Sequence, residues 1–223
     1  MDANMKLHSL STLMASELDT RLRNVPTQAR SRERLRRVLD AADQVLARDG
    51  AGAFTTTRIA RAAGVPVGSV YRYFPDKEAI VEALATRYWS EFADLVSAAA
   101  ELDEASPMPD PAGGVLEALA AAFRGRPGFL ALWYGGLRTE RIRDATRPTR
   151  EAIAASVQRI LAVHWPQASE RDRAAAARML VVAGDGLLRE TFRTSPRGDA
   201  QLMVESRLML GAYVGARLGD AQV

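Results

Sequence analysis

A chain of 223 residues, 48% hydrophobic and 26% charged, can bury one sizeable core, or a small domain joined to a larger one, and has the composition of an ordinary globular protein. It contains no cysteine, which excludes a disulfide framework, a thiolate metal site and a cysteine nucleophile. The net charge of +3 is small, but its distribution along the chain is uneven.

The opening residues, MDANMKLHSLSTLMASELD, have neither a basic leader nor a continuous apolar stretch, so they do not read as a signal peptide. Nowhere does an uninterrupted apolar run approach the roughly 18 residues of a membrane span, and a cytoplasmic address with no membrane partner is expected. Arg21, Arg23, Arg30, Arg32, Arg34, Arg36 and Arg37 follow, against the single acid Glu33. Such a block attracts polyanions, and residues 1–28 are expected to form a flexible basic arm. From Ser31 to Asp49 the apolar set Leu35, Val38, Leu39, Ala42, Val45 and Leu46 has the spacing of one buried helical stripe, which Gly50 ends.

Phe54 to Leu84 is the informative stretch. Thr55 or Thr56 can cap a short helix whose Ile59, Ala62 and Ala63 are expected to face inward. Gly64 suits the left-handed conformation that closes such a helix, and Val65, preceding a proline, is steered away from helical angles. Pro66 fits the first turn of a second helix, and two helices joined by so short a glycine-containing turn make a helix-turn-helix. On the second helix Val70 and Phe74 are expected to anchor the core, with Val67, Gly68, Ser69, Tyr71, Arg72 and Tyr73 on the exposed side. Gly68 would let the backbone approach a duplex closely, and Arg72 can offer a bidentate fork to guanine. Asp76 can cap a third helix, whose first-turn Lys77 joins backbone N–H groups suited to a phosphate.

Thr56, Ile59 with Ala60, Ala63-Gly64-Val65, Gly68, Val70-Tyr71, Tyr73-Phe74 and Lys77 together resemble the DNA-binding domain of the TetR family of bacterial repressors. The resemblance implies that Thr56, Tyr71, Tyr73 and Lys77 hold phosphates, while Val67, Ser69 and Arg72 meet bases; Thr57 and Gly68 complete the expected DNA-binding set. It also implies a homodimer on double-stranded operator DNA and a small-molecule effector. Pro66 and Val67 stand where family members often carry a serine and a polar or basic residue, so no operator sequence carries over.

Strand signals are nearly absent and helical periodicity runs throughout, so the expected fold is all-α with about nine helices. Breaks are expected at 106–114, at 125–128, near Arg147-Pro148, at Trp165-Pro166 and at 195–198. The expected division is an arm at 1–28, a helix-turn-helix domain at 29–80 and a ligand-binding and dimerisation domain at 81–223. Helices from Ala174 to Phe192 and from Leu202 to Leu218 carry apolar residues on more than one face. That pattern asks for a second partner, which a two-fold related subunit would supply. Aromatic residues gather at Trp89, Phe92, Phe123, Phe129, Trp133, Tyr134 and Trp165. Phe123, Leu130, Trp133 and Tyr134 are the expected lining of an effector pocket, with Asp185 and Arg189, four apart on one face, as orienting groups. His164 reads as a helix-end residue.

No cofactor or metal is expected, and enzymatic activity is not. Di-iron bundles need Glu-x-x-His pairs, and neither His8 nor His164 lies three residues after a glutamate. The functional expectation is a ligand-responsive repressor. A DNA-binding activator or architectural factor without a ligand is the alternative.

Overall fold

Among the described residues, 29–137 and 139–219 of a computed structural model, the regular structure is entirely helical. Nine α-helices follow in order: α1 Ala29–Asp49, α2 Thr56–Ala63, α3 Val67–Tyr73, α4 Lys77–Ala105, α5 Pro111–Arg124, α6 Pro127–Tyr134, α7 Glu140–His164, α8 Glu170–Phe192 and α9 Ala200–Leu218. A 3-10 turn, Ala51–Ala53, follows α1. The expected basic arm, with Arg21 and Arg23, lies outside the described residues.

The helices form two units. The first runs through Ser90 and takes in Pro127–Thr146; the second joins Glu91–Arg126 to the chain from Arg147 onward. The sequence-based division placed a boundary at residue 80; by contacts the first unit continues ten residues along α4 and adds α6 and the start of α7. That addition comes from packing between distant segments, which local periodicity does not encode.

In the first unit the apolar stripe of α1 is buried as its spacing requires, with Val38, Ala42, Val45 and Leu46 wholly inaccessible. Gly50 follows at φ 73°, a conformation that suits glycine. Short α6 packs against α1, and Gly128 makes the approach possible: a Cβ there would fall on the Asp43 carboxylate and the Tyr88 hydroxyl. Tyr88 donates to Asp43, and Arg87 bridges Asp40 at 2.7 Å and Asp43 at 3.2 Å, so this seam is polar and both carboxylates share a cationic partner. Behind it Phe129 meets the edge of Tyr88 at 5.4 Å and stacks on Trp133 at 5.3 Å.

The second unit centres on Phe123, stacked on Phe92 at 5.1 Å and tilted against Phe192 at 5.8 Å. The expected break over 106–114 is shorter than predicted, because α5 begins at Pro111. Asp110 caps it by accepting from the Gly113 N–H at 2.9 Å, and Pro111 occupies the first turn, where a missing N–H costs nothing. Pro148 does not end its helix as predicted; α7 runs through it. An internal proline sacrifices one backbone bond. Here Ile142, Ala145, Thr149, Ile153, Val157 and Ile160 continue one buried stripe on both sides of it, and that burial outweighs the loss. His164, at the end of α7 as expected, is 1% exposed and lies 2.9 and 3.0 Å from the two oxygens of buried Asp103. Asp103 also accepts from the Met108 N–H, tying the end of α4 to the loop that follows.

Replacing glycine by alanine inside a helix ordinarily stabilises by about 1 kcal/mol. Gly128→Ala should do the reverse and cost about 1–3 kcal/mol in urea denaturation, because the added methyl overpacks the α1–α6 seam. Gly52→Ala, in open space, should stay within about 0.5 kcal/mol of the parent.

Candidate nucleic-acid interface

The helix-turn-helix is assembled from local signals that act where the sequence puts them. Thr55 caps α2, accepting from the Arg58 N–H at 3.3 Å. Gly64 closes α2 in the left-handed conformation, φ 65° and ψ 38°, and its N–H bonds back to the carbonyls of Ala60 and Arg61. Pro66 stands at the N-cap of α3, one residue before the first turn in which it was expected. Asp76 caps α4 by accepting from the Ala79 N–H at 2.7 Å. Arg37, on α1, donates to the Ala63 carbonyl at 2.8 Å and so ties the end of α2 to the first helix. Nothing near Arg37 in sequence signals that partner, which lies 26 residues on.

Val70 and Phe74 anchor α3 as predicted, at 0% and 1% exposure. Thr57, Gly68 and Arg72 are exposed, Tyr71 is 45% exposed, and Thr56, Val67, Ser69 and Lys77 are half-buried. No atom outside the local chain lies within 4 Å of where a Gly68 Cβ would stand, so the backbone is open to approach there. Tyr73 departs from the expected surface: it is 2% exposed, and its hydroxyl is buried with no hydrogen-bond partner. Tyr73 lies three residues after Val70 and therefore shares its inward face, a spacing that could have identified it as core. Ala62 departs in the other direction; it is exposed, and Ala60 is buried instead.

Cations stand on the neighbouring helices. Arg61 is exposed on the last turn of α2, and Arg58 pairs with Asp49 at 3.2 Å. The Arg48 guanidinium hydrogen-bonded to it, with further help from Arg58, holds the Asp49 carboxyl below its ordinary range against the opposing effect of desolvation. Asp49 therefore stays ionised at neutral pH and orients two arginines beside the helix pair. A short helix anchored by apolar residues, open along one side and joined to its neighbour by the Gly64 turn, has the form of a DNA-binding helix-turn-helix.

Comparison with known proteins carries this further. Residues 38–84 match the profile of the bacterial regulatory proteins of the tetR family, and residues 107–213 match that of the tetracyclin repressor-like C-terminal domain. A TetR-family transcriptional regulator from Streptomyces coelicolor is 28% identical, with a TM-score of 0.60 over 83% of this chain and 99% of that one. The multidrug binding protein EbrR, in complex with ethidium, is 27% identical, with a TM-score of 0.58 over 80% of this chain and 96% of that one. The transcriptional regulator FadR from Bacillus subtilis, at 19% identity and a TM-score of 0.61 over 80% of this chain and 98% of that one, shares the fold. A search of curated proteins finds no match. The chain belongs to the TetR family of transcriptional regulators: DNA-binding, non-enzymatic proteins with a ligand-binding C-terminal domain. Among the described residues no helix is long and apolar enough to cross a membrane.

The residues expected around an effector fall in both units. Leu130, half-buried, Trp133, 7% exposed, and Tyr134, 41% exposed, belong to the first. Phe123, Asp185 and Arg189 belong to the second, where Asp185 and Arg189 meet at 3.3 Å. Arg150, from α7, joins them at 2.8 Å from the same Asp185 oxygen. Sequence reasoning missed Arg150, which lies 35 residues from its partner.

Because the Tyr73 hydroxyl is buried without a partner, Tyr73→Phe should leave the melting temperature unchanged or raise it, and keep operator affinity within about twofold. Arg72→Ala should lower affinity by about 1–3 kcal/mol and blunt discrimination between an operator and its point-mutated forms. Fluorescence anisotropy on both duplexes separates the two outcomes.

Proposed function

We propose that this protein is a repressor that holds a pseudo-palindromic operator as a homodimer and leaves it when a small, largely apolar molecule binds. The observation that carries the DNA half is the open face of α3, set on a buried Val70 and Phe74. In this reading Thr56, Thr57, Tyr71 and Lys77 touch phosphates and position the protein, while Val67, Ser69 and Arg72 read bases. Val67 cannot donate a hydrogen bond but can pack on a thymine methyl.

The dimer rests on a second observation. In the second unit α8 exposes Met179 and Val182, at 50% and 65%, and α9 exposes Val204, Leu208 and Met209, at 60%, 66% and 49%. Their opposite faces bury Leu188, Leu210 and Val214. Large apolar side chains left open at this density on two adjacent helices mark a surface that is covered in the working protein. A second copy related by a two-fold axis supplies the matching face. The dimer then presents two copies of α3 about 34–36 Å apart, or a multiple of it.

Ethidium bound to a protein 27% identical supports a small-molecule effector here. Such a molecule can release DNA only by favouring one arrangement of the two helix-turn-helix units over another. Thermal shift screening tests this, since a true effector stabilises the protein by mass action and also lowers its operator affinity.

Leu208→Glu should convert the protein to a monomer in sedimentation at about micromolar concentration, because the dimer would have to bury the new carboxylate. Operator affinity should fall with it while helical content by circular dichroism is kept. An undiminished dimer would place the interface elsewhere.

A further inference from the structure

The middle of α8 combines two features that belong together. Gly184 is buried, yet no atom outside its immediate backbone surroundings lies within 4 Å of where its Cβ would stand. Interior glycines elsewhere in the chain are filled against their neighbours: a Cβ at Gly113 would meet Asp110 and Arg207, and one at Gly128 would meet Asp43 and Tyr88. Gly184 thus borders open space from an inward position, with Leu188, 1% exposed, one turn along the same face. In a close-packed interior such a space is unusual, and it is the form a ligand cavity takes.

The next residue, Asp185, carries the second feature. Its side chain is 4% exposed, and one of its oxygens accepts from Arg150 at 2.8 Å and lies 3.3 Å from Arg189. Arg189 also donates to the Asp185 carbonyl at 3.1 Å, which fixes its guanidinium against the helix. Within this unit two guanidiniums therefore converge on one carboxylate, and they are 25% and 30% exposed while the carboxylate is covered. Such a cluster repels a cation and favours a group that accepts charge-assisted hydrogen bonds in a forked geometry.

We propose that the effector of this protein carries an anionic group, a carboxylate in the simplest case, held by Arg150 and Arg189, with its apolar part in the space beside Gly184. The proposal rests on the effector reading above and adds the chemical class of the ligand and the residues that select it. Asp185 acts as a positioning residue that holds the two guanidiniums in place for the ligand.

The test uses the full-length protein and charge-matched probes: 2-naphthoate, 4-phenylbutyrate and decanoate, each beside its primary amide and the corresponding primary amine. Binding is read by titration calorimetry up to about 1 mM, the weak end of specific affinity. At least one carboxylate should bind about tenfold or more tightly than its amide, and Arg150→Gln should abolish that preference. Gly184→Leu should exclude carboxylate and amide alike. Gly184→Ala, which favours the helix and keeps the fold, should weaken both less. Amides or amines binding as well as carboxylates, or an unchanged preference in Arg150→Gln, would overturn the anion assignment and leave the effector reading standing. If no probe of any charge bound, this proposal would be overturned, while the effector reading would still stand or fall on the thermal-shift screen and operator release.

Discussion

Everything this protein does to DNA depends on burying one side of a helix too short to exist alone. Seven residues make about two turns, far below the length at which an isolated helix is stable in water. α3 therefore owes its shape to Val70, Tyr73 and Phe74, which the rest of the first unit encloses almost completely. Once those three are fixed, Gly68, Tyr71 and Arg72 have no choice but to face outward. The Gly64 turn, with the Arg37 bond to the Ala63 carbonyl behind it, sets the angle at which α3 leaves α2. The exposed surface of α3 is thus a consequence of core packing.

The same logic of two-sided helices governs the other end of the chain. α8 and α9 bury Leu188, Leu210 and Val214 within their own unit while leaving Met179, Val182, Val204 and Leu208 open. Arg217 pairs with Asp172, and Trp165 donates to the Gly219 carbonyl at 2.7 Å, so the end of α9 is pinned by polar contacts and not only by apolar burial. That arrangement holds the open apolar face in a defined shape. Asp103 and His164, both nearly inaccessible, do a comparable task at the far end of α4 and α7. Polar groups buried in this way must be paired, and each such pair fixes one helix end against another.

Signals that act within a few residues were legible in the sequence. The α1 stripe, the left-handed Gly64, the Asp76 cap and the all-helical class each follow from spacing or from one residue's conformational preference, and the structure has them. Tyr73 reads as exposed when only Val70 and Phe74 are given to the core, but it lies three residues after Val70 and shares its inward face. Pro111 and Pro148 both read as breakers in the sequence. The first instead begins a helix that Asp110 caps, and the second is carried by burial on both of its sides. Arg37, Gly128 and Arg150 were illegible in kind, since each acts on a residue far along the chain and only the packed structure brings the pair together. The aromatic residues illustrate the same limit. Their clustering in sequence does not say which rings meet: within the first unit Phe129 meets Tyr88 and Trp133, and within the second Phe123 meets Phe92 and Phe192.

The central claim is that the exposed side of α3, presented twice by a symmetric dimer, reads a defined DNA sequence. Selection of bound duplexes from a fully randomised pool by the purified full-length protein tests it most directly, because no operator need be known beforehand. The account predicts enrichment of a single motif with two half-sites in inverted order, their centres one helical turn or a multiple of it apart. Enrichment of one asymmetric half-site, or retention of random sequences with an affinity set by salt alone, would contradict it.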